Sequence, residues 1–179
     1  MTESSPAFTV RPCELPRDTV ALLALDTSYN TTGCYEVVTN GDSITLQQRR
    51  WPAPRVKRFP LQLDPRDWTQ GWVAETAGQA IGFIATELEA WNHRLAIRHF
   101  YVQRAHRRQG IGRQLLQTAR LAGRDHGALT VWAETSNCNL PGIAAYQRLG
   151  FKLCGCDQSL YTGTPSADEF AVYLAVSLG

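Results

Sequence analysis

The chain has 179 residues, of which 44% are hydrophobic and 19% are charged. This balance favours a globular protein with a full hydrophobic core and excludes a disordered chain. The formal net charge of +2 is too small to indicate a nucleic-acid or membrane-surface partner, so we expect neither. Basic residues cluster locally instead, over 49–57 and 104–113.

The five cysteines and the start of the chain bear on compartment and domain organisation. An odd number of cysteines without a signal peptide predicts a reducing cytoplasm. Cys154 and Cys156 lack the two-residue spacer and the second pair of a zinc site, so we expect no metal. No apolar run approaches the ~20 residues that span a bilayer. We predict a flexible tail over 1–7 and a single domain over 8–179.

The first half of the chain predicts one helix among short strands. Asn40-Gly41 between two β-prone runs is a strong signal for a hairpin. The helix should bury an apolar face made of Val20, Leu22, Leu23 and Leu25. In chain order, the predicted elements are a strand at 8–12, a helix from 16 to 25, a turn-rich stretch at 26–33, hairpin strands at 35–39 and 43–48, and a loop over 49–70.

The second half predicts a strand meander followed by two helix-and-strand pairs. Gly127 and Gly150 are the expected stops of the two helices, and Pro141 fits a first helical turn. The predicted elements are strands at 72–75, 80–89 and 95–102, a helix at 111–125, a strand at 128–135, a helix from 141, and strands at 151–156 and 170–176. The order β-α-β-β-β-β-α-β-α-β-β indicates an α/β domain around a mixed sheet.

The stretch from Val102 to Gly112, V-Q-R-A-H-R-R-Q-G-I-G, connects a predicted strand to a predicted helix. A helix N-terminus presents free backbone N–H groups and the positive end of the helix dipole. Gly110 and Gly112 let a bulky anion approach that backbone closely. The pattern therefore predicts a phosphate or pyrophosphate site; the alternative is an ordinary helix start with a solvated basic patch.

The spacing R-x-x-G-x-G is neither a Walker loop nor a three-glycine dinucleotide fingerprint. It resembles the acyl-CoA pyrophosphate loop of the GNAT superfamily of N-acetyltransferases. A second motif, which runs from Asn139 through Gly142 and Tyr146 to Gly150-Phe151, is similar to the end of the fifth strand and the following helix of GNAT enzymes.

The resemblance implies a single-domain GNAT fold of the α/β class, with a mixed, mostly antiparallel central sheet that is splayed at the acetyl-CoA site and flanked by helices. It implies acetyl-CoA as the co-substrate. The cofactor-binding residues that it implies come from both motifs and the strand before the loop: Phe100, Tyr101, Val102, Arg107, Arg108, Gln109, Gly110, Ile111, Gly112, Arg113, Asn139 and Tyr146.

The mechanism implied by the resemblance is direct transfer from the thioester to a neutral amine. Tyr146 matches the acid that protonates the departing thiolate. A phenol of pKa ~10 is only mildly mismatched to a thiolate of pKa ~8.5. The alternative for Tyr146 is an aromatic residue on a buried helix face.

Four further stretches, at 25–31, 91–92, 134–137 and 160–164, resemble the streptothricin (nourseothricin) acetyltransferases. These enzymes acetylate an amine of the antibiotic's β-lysine arm, so the resemblance implies a small cationic amine as substrate. Its pocket should be acidic and aromatic. The implied substrate-binding residues are Asp26, Tyr29, Trp91, Glu134 and Tyr161, with Glu87, Glu89 and Asp157 as further acidic candidates.

Arg98-His99 departs from the acidic pair that relatives in this group carry in the strand before the loop. Arginine does not act as a base at neutral pH, and it would disfavour a cation. His99 is a candidate base because its ordinary pKa is ~6.5, or else a surface strand residue. Glu134 is the other candidate base. Acetylation of a different amine and an acyl-CoA-binding module without turnover stay open, as does a homodimer.

Overall fold

The structure is a computed structural model that describes residues 8–59 and 61–179. The predicted tail at 1–7 lies outside the described residues. The chain divides into two compact units. The first unit comprises the described residues up to Thr27, Phe59–Val131 and Ser177–Gly179, and the second comprises Ser28–Arg58 and Trp132–Val176.

The described residues form strands, helices and one short 3-10 turn. In chain order these are β1 (Thr9–Pro12), α1 (Thr19–Leu23), β2 (Tyr29–Asn40), β3 (Ser43–Lys57), β4 (Gln70–Thr76), β5 (Gln79–Glu89), β6 (Arg94–Val102), the 3-10 turn Arg104–His106, α2 (Ile111–Asp125), β7 (Thr130–Ser136), α3 (Leu140–Arg148), β8 (Lys152–Asp157) and β9 (Ala171–Ser177). None of the described helices is long and apolar enough to cross a membrane.

The first unit contains an antiparallel sheet with the strand order β1-β4-β5-β6. Val73 pairs with Phe83, and Phe83 pairs with Tyr101, so the meander predicted from the sequence is confirmed. Helix α2 packs on the sheet at Gly82, where an added Cβ would lie 3.0 Å from both Ile111 and Leu115. The absence of a side chain at residue 82 therefore lets the helix that follows the glycine loop sit directly on β5.

The opposite face of this sheet carries a core made of Leu22, Leu25, Val73, Phe83 and Ala85. Burying each large side chain contributes about 1.5–3 kcal/mol to folding. The prediction for α1 is wrong in part, because the helix covers only Thr19–Leu23.

Two of the four residues predicted to face the core from α1 do not do so. Val20 is 81% exposed and Leu23 is 54% exposed. Residues three apart share a helix face, and here the buried face is that of Leu22, continued just past the helix end by Leu25. The face that holds Val20 and Leu23 therefore turns to solvent.

The second unit contains the hairpin β2–β3, which is longer at its open end than the sequence predicts. Residues 29–33 and 49–57, predicted as turn and loop, pair as strand. The polar residues and prolines of these segments did not suggest strands. A proline has no backbone N–H to donate to a neighbouring strand, so within sheets it is found at edges and bulges. Here Pro52 and Pro54 fall where the register shifts opposite Thr31–Gly33. Gly33 permits the close approach, because a Cβ there would lie 2.0 Å from the carbonyl oxygen of Arg49.

The rest of the second unit consists of α3 and the strand order β7-β9-β8. The segment after β7 is joined to the hairpin by two hydrogen bonds between Asn137 and Tyr35, at 2.9 and 2.8 Å. Helix α3 begins at Leu140 with Pro141 in its first turn, as predicted. Both units thus present the ends of β-strands that lead into helices.

Candidate active site

The glycine loop of the first unit has the geometry that a bound anion requires. Gly110 caps α2 with a φ of 85°, a left-handed conformation that favours glycine. Among the described residues, no side chain caps the first turn of α2, and no atom lies within 4 Å of an added Cβ at Gly110. The N–H groups of this turn are therefore available to a phosphate, with Arg108, Gln109 and Arg113 exposed around them.

Arg107 is held by backbone carbonyls rather than left open. Its Nε donates to the Val102 carbonyl at 3.0 Å, and its Nη2 donates to the Asp26 carbonyl at 3.3 Å. Burial lowers the pKa of Arg107 from its ordinary value. Gln103 completes the arrangement, since its Oε1 accepts the Asp26 N–H at 2.6 Å. The peptide of Asp26, a predicted acceptor residue, is thus fixed to the loop that leads into α2.

The last residues of β6 pack beside the start of α2 and the core. Gly112 lies against the ring of Phe100, where an added Cβ would make ordinary contact at 3.4 Å. Tyr101 packs against the core, and Val102 is half-buried. The side chain of Ile111 is buried, so any contribution of this residue to anion binding comes from its N–H.

His99 lies half-buried on β6 and not on the surface. Its ring stacks on Phe83 with 5.8 Å between centroids and lies 6.1 Å from Tyr101. Burial lowers the pKa of His99, and the charge of Asp67 opposes this. Both ring nitrogens are shielded from solvent, and neither has a hydrogen-bond partner in the described part of the chain. His99 is therefore neutral at neutral pH, but its nitrogens are not presented to solvent.

Arg98 does not leave an uncompensated positive charge beside His99. Its Nη2 lies 2.7 Å from a carboxylate oxygen of Glu87 and 3.7 Å from one of Glu89. These two carboxylates therefore reduce the repulsion between Arg98 and a cationic substrate.

Trp91 lies apart from the glycine loop. It occupies the turn between β5 and β6 and is 85% exposed. The loop follows the other end of β6, about 26 Å away along a nine-residue strand. The first unit thus does not bring Trp91 to Asp26, and its role in the substrate pocket stays a prediction without support from this geometry.

The second unit joins two predicted residues, Tyr161 and the half-buried Glu134, and brings a third, Tyr29, near Tyr161. The hydroxyl of Tyr161 donates a hydrogen bond to Glu134 on β7. Burial raises the pKa of Glu134, and the hydrogen bond opposes this. The pKa of Tyr161 is raised by burial, by Glu134 and weakly by Tyr29, and burial also raises the pKa of Tyr29. This cluster of Glu134, Tyr161 and Tyr29 has the acidic and aromatic character that was predicted for the substrate pocket.

The motif that begins at Asn139 builds the start of α3. The Asn139 side chain accepts the Gly142 N–H at 3.0 Å and donates to Thr135 at 2.9 Å. Tyr146 is buried, and its ring packs edge-on against Phe151 with 5.1 Å between centroids. The capping role of Asn139 is structural, and cofactor binding by Asn139 and Tyr146 stays a prediction.

Sequence reasoning missed two sets of polar residues. One is Gln103, whose position between β6 and the basic turn gave no signal. The other is a buried network in which Glu169 contacts Lys57 and accepts a hydrogen bond from Ser136. The Ser136 hydroxyl also accepts the Cys138 N–H at 3.0 Å, so the network fixes the segment before Asn139. Glu169 lies 33 positions from Ser136 and 112 positions from Lys57 in the chain, so no local sequence pattern reveals this network.

Comparison with known proteins places this geometry in a family. Residues 41–151 match the acetyltransferase (GNAT) family. A streptothricin acetyltransferase from Streptomyces lavendulae is 38% identical over 171 residues, which cover 90% of each chain.

Solved structures agree over nearly the whole chain. The crystal structure of a nourseothricin acetyltransferase, 37% identical, superposes with a TM-score of 0.88 over 97% of this chain and 99% of that one. A Bacillus anthracis structure in complex with acetyl coenzyme A, 22% identical, has the same fold, with a TM-score of 0.80 over 95% and 99% of the two chains. The predicted single-domain α/β fold with a large, mostly antiparallel sheet is confirmed. The chain belongs to the GNAT family of acetyltransferases and uses acetyl-CoA as its co-substrate.

Proposed function

We propose that this enzyme transfers an acetyl group to an amine of the β-lysine arm of streptothricin-type antibiotics and so confers resistance to them. The observation that carries the proposal is the 38% identity to a streptothricin acetyltransferase over 90% of both chains. The half-buried carboxylate of Glu134, with its tyrosine partner, supplies the acidic and aromatic surface that a cationic acceptor needs.

Acetyl-CoA supplies the activated acetyl thioester. Its diphosphate would be held by the N–H groups at the start of α2, with Arg108, Gln109 and Arg113 around it. Gly110 leaves room for the phosphates, and Arg107 fixes the loop through its two backbone contacts. Phe100, Tyr101 and Val102 would line the pantetheine path at the end of β6.

Glu134 is the base that the geometry favours. A carboxylate whose pKa is raised by burial accepts a proton more readily near neutral pH, and Tyr161 fixes its orientation. Glu134 takes the proton that the amine loses as the amide forms, and Tyr146 gives a proton to the departing thiolate. Both groups then return to their starting states by exchange with solvent.

His99 is the other candidate base, and its neutral form fits that role. Against it, both ring nitrogens are shielded from solvent. The acceptor would contact Asp26, Tyr29, Glu134 and Tyr161, of which Asp26 is tied to the cofactor loop by Gln103 and Arg107.

We place the enzyme in the cytoplasm and expect no nucleic-acid partner. All five cysteines are free thiols, which suits a reducing compartment. The small net charge argues against nucleic-acid binding.

Expression in a sensitive bacterium tests the proposal. We expect a gain of streptothricin resistance, a mono-acetylated product by mass spectrometry, and release of free thiol from acetyl-CoA with the purified protein. Thiol release with other amines but not with streptothricin would indicate a different acceptor. Acetyl-CoA binding without release from any amine would indicate a binding module.

A further inference from the structure

A polar cavity of about 370 Å³ lies in the first unit and contains none of the glycine-loop residues. Ligand sites typically begin at about 300 Å³. Its lining comes from the end of the loop before β4 and from neighbouring residues of β5 and β6: Arg66, Asp67, Glu87, Arg98 and His99. The sequence predicts a loop for the segment that supplies Arg66 and Asp67, and no motif there points to a role.

Both arginines of the cavity are already neutralised. Arg98 is bound by Glu87 at 2.7 Å, with Glu89 at 3.7 Å. Arg66 is bound by Asp64 at 2.6 Å. The positive charges of the lining are therefore matched by carboxylates that belong to the protein.

Asp67 is the charged residue of the lining that has no such match. Within residues 8–59 and 61–179, its carboxylate takes part in no ion pair or hydrogen bond, and its backbone N–H donates to the Asp64 carbonyl at 3.1 Å. Its charge acts on Arg66 and on His99. The cavity thus carries a carboxylate that forms no ion pair with either arginine of the lining.

His99 adds polarity without adding charge. Its ring, stacked on Phe83, forms part of the lining, and burial keeps it neutral at neutral pH. Its nitrogens have no donor or acceptor partner in the described residues. The ring of His99 therefore contributes to the lining without a positive charge that would repel a cation.

We infer that this cavity binds a cationic group of the acceptor other than the amine that is acetylated, with Asp67 as the anchoring carboxylate. The inference rests on the proposed function for its choice of a polycationic acceptor. The reacting amine must lose its proton before it attacks, whereas a carboxylate partner keeps an ammonium protonated. Asp67 therefore suits a cation that stays charged throughout the reaction. It would make the enzyme prefer acceptors with at least two cationic groups.

Calorimetry with streptothricin in the absence of acetyl-CoA tests the cavity separately from turnover. We expect Asp67→Asn to weaken streptothricin binding about tenfold and Asp42→Asn, at an exposed turn of the hairpin, to leave it within about twofold. The wild-type affinity should also fall as salt is raised, and less so in Asp67→Asn.

The outcomes separate this inference from the proposed function. Equal streptothricin affinity in wild type and Asp67→Asn, with streptothricin still acetylated, would overturn the cavity assignment and leave the proposed function standing. Wild-type protein that neither binds nor acetylates streptothricin would overturn both. Asp67→Asn keeps the size of the side chain at an exposed loop position, and circular dichroism would confirm its fold.

Discussion

The glycine loop and the Glu134 cluster are built in opposite ways. The loop is continuous in sequence, exposed, and offers backbone N–H groups at the start of α2. The Glu134 cluster joins β7 to Tyr161, 27 residues away, and burial has raised the pKa of both groups. The glycine loop binds through the conformation of its backbone. The Glu134 cluster acts through side chains whose protonation is controlled by burial and by hydrogen bonding.

Because of this difference, the two regions should tolerate different kinds of substitution. The loop depends on conformation and open space, so an added side chain damages it while most side-chain exchanges do not. The Glu134 region depends on which of its side chains carry a proton. Removing a single hydroxyl group should therefore change its chemistry without changing its shape. Four substitutions test this contrast.

Tyr146→Phe should have the largest effect on turnover. The change keeps the buried ring and removes the proton offered to the departing thiolate. General acid catalysis contributes about 10²–10⁴ to the rate, so we expect kcat to fall by that factor while acetyl-CoA affinity changes little. Stopped-flow thiol release and calorimetry measure the two quantities. Tyr35→Phe, a half-buried tyrosine of β2, is the control, and a kcat within about twofold of wild type in Tyr146→Phe would show that another group protonates the thiolate.

Gly110→Asp should damage binding rather than chemistry. It places a negative charge at an open, left-handed position of the loop. Charged hydrogen bonds to phosphate are worth about 1.5–3 kcal/mol, so we expect CoA affinity to fall about tenfold to hundredfold by calorimetry. Gly78→Asp is the matched control, because Gly78 is also open and has a φ of 75° but lies in the β4–β5 turn. Equal CoA affinity in both variants would contradict the phosphate assignment.

Tyr161→Phe should move the pH profile. Activity requires the Glu134 carboxylate and is lost as pH falls through its pKa, which burial raises and the Tyr161 hydrogen bond lowers. Removing the hydroxyl leaves the raising effect unopposed, so the acidic limb of kcat/KM should shift to higher pH. Tyr173→Phe, whose hydroxyl contacts Asp157 at 3.5 Å, is the control. If His99 were the base, the limb would stay in place, because the pKa of His99 is lowered by burial against the opposing charge of Asp67, and Tyr161 has no part in it.

Asp26→Asn should give the smallest effect. The backbone contacts of residue 26 with Gln103 and Arg107 do not depend on its side chain, so the loop keeps its shape. Loss of a partly exposed carboxylate costs up to about 1 kcal/mol, and we expect KM for streptothricin to rise about threefold to fivefold. KM for acetyl-CoA should stay unchanged in steady-state assays. A similar rise in Asp125→Asn, at the far end of α2, would show a general charge effect instead.

The sequence by itself determined what depends on local patterns. Glycines at fixed spacing, a strand before them and an apolar helix period after them are all read within about 25 residues, so the loop, α2, and α3 with its Pro141 were predicted. The hairpin turn at Asn40-Gly41 is equally local. Family resemblance rested on these same short stretches, which is why the fold was predicted well.

Only the tertiary structure decided which side chains from distant parts of the chain come into contact and how burial shifts their pKa values. It extended β3 over 49–57 because the pairing partner, not the composition, defines a strand. It paired Glu87 with Arg98 and joined the backbone of Asp26 to Gln103 by a hydrogen bond. It also exposed Val20 and Leu23 to solvent. It also placed the Asp67 carboxylate, which forms no ion pair within the described residues, in one cavity lining with His99. Charge pairing and desolvation depend on distances between residues far apart in the chain, and no local period encodes those distances.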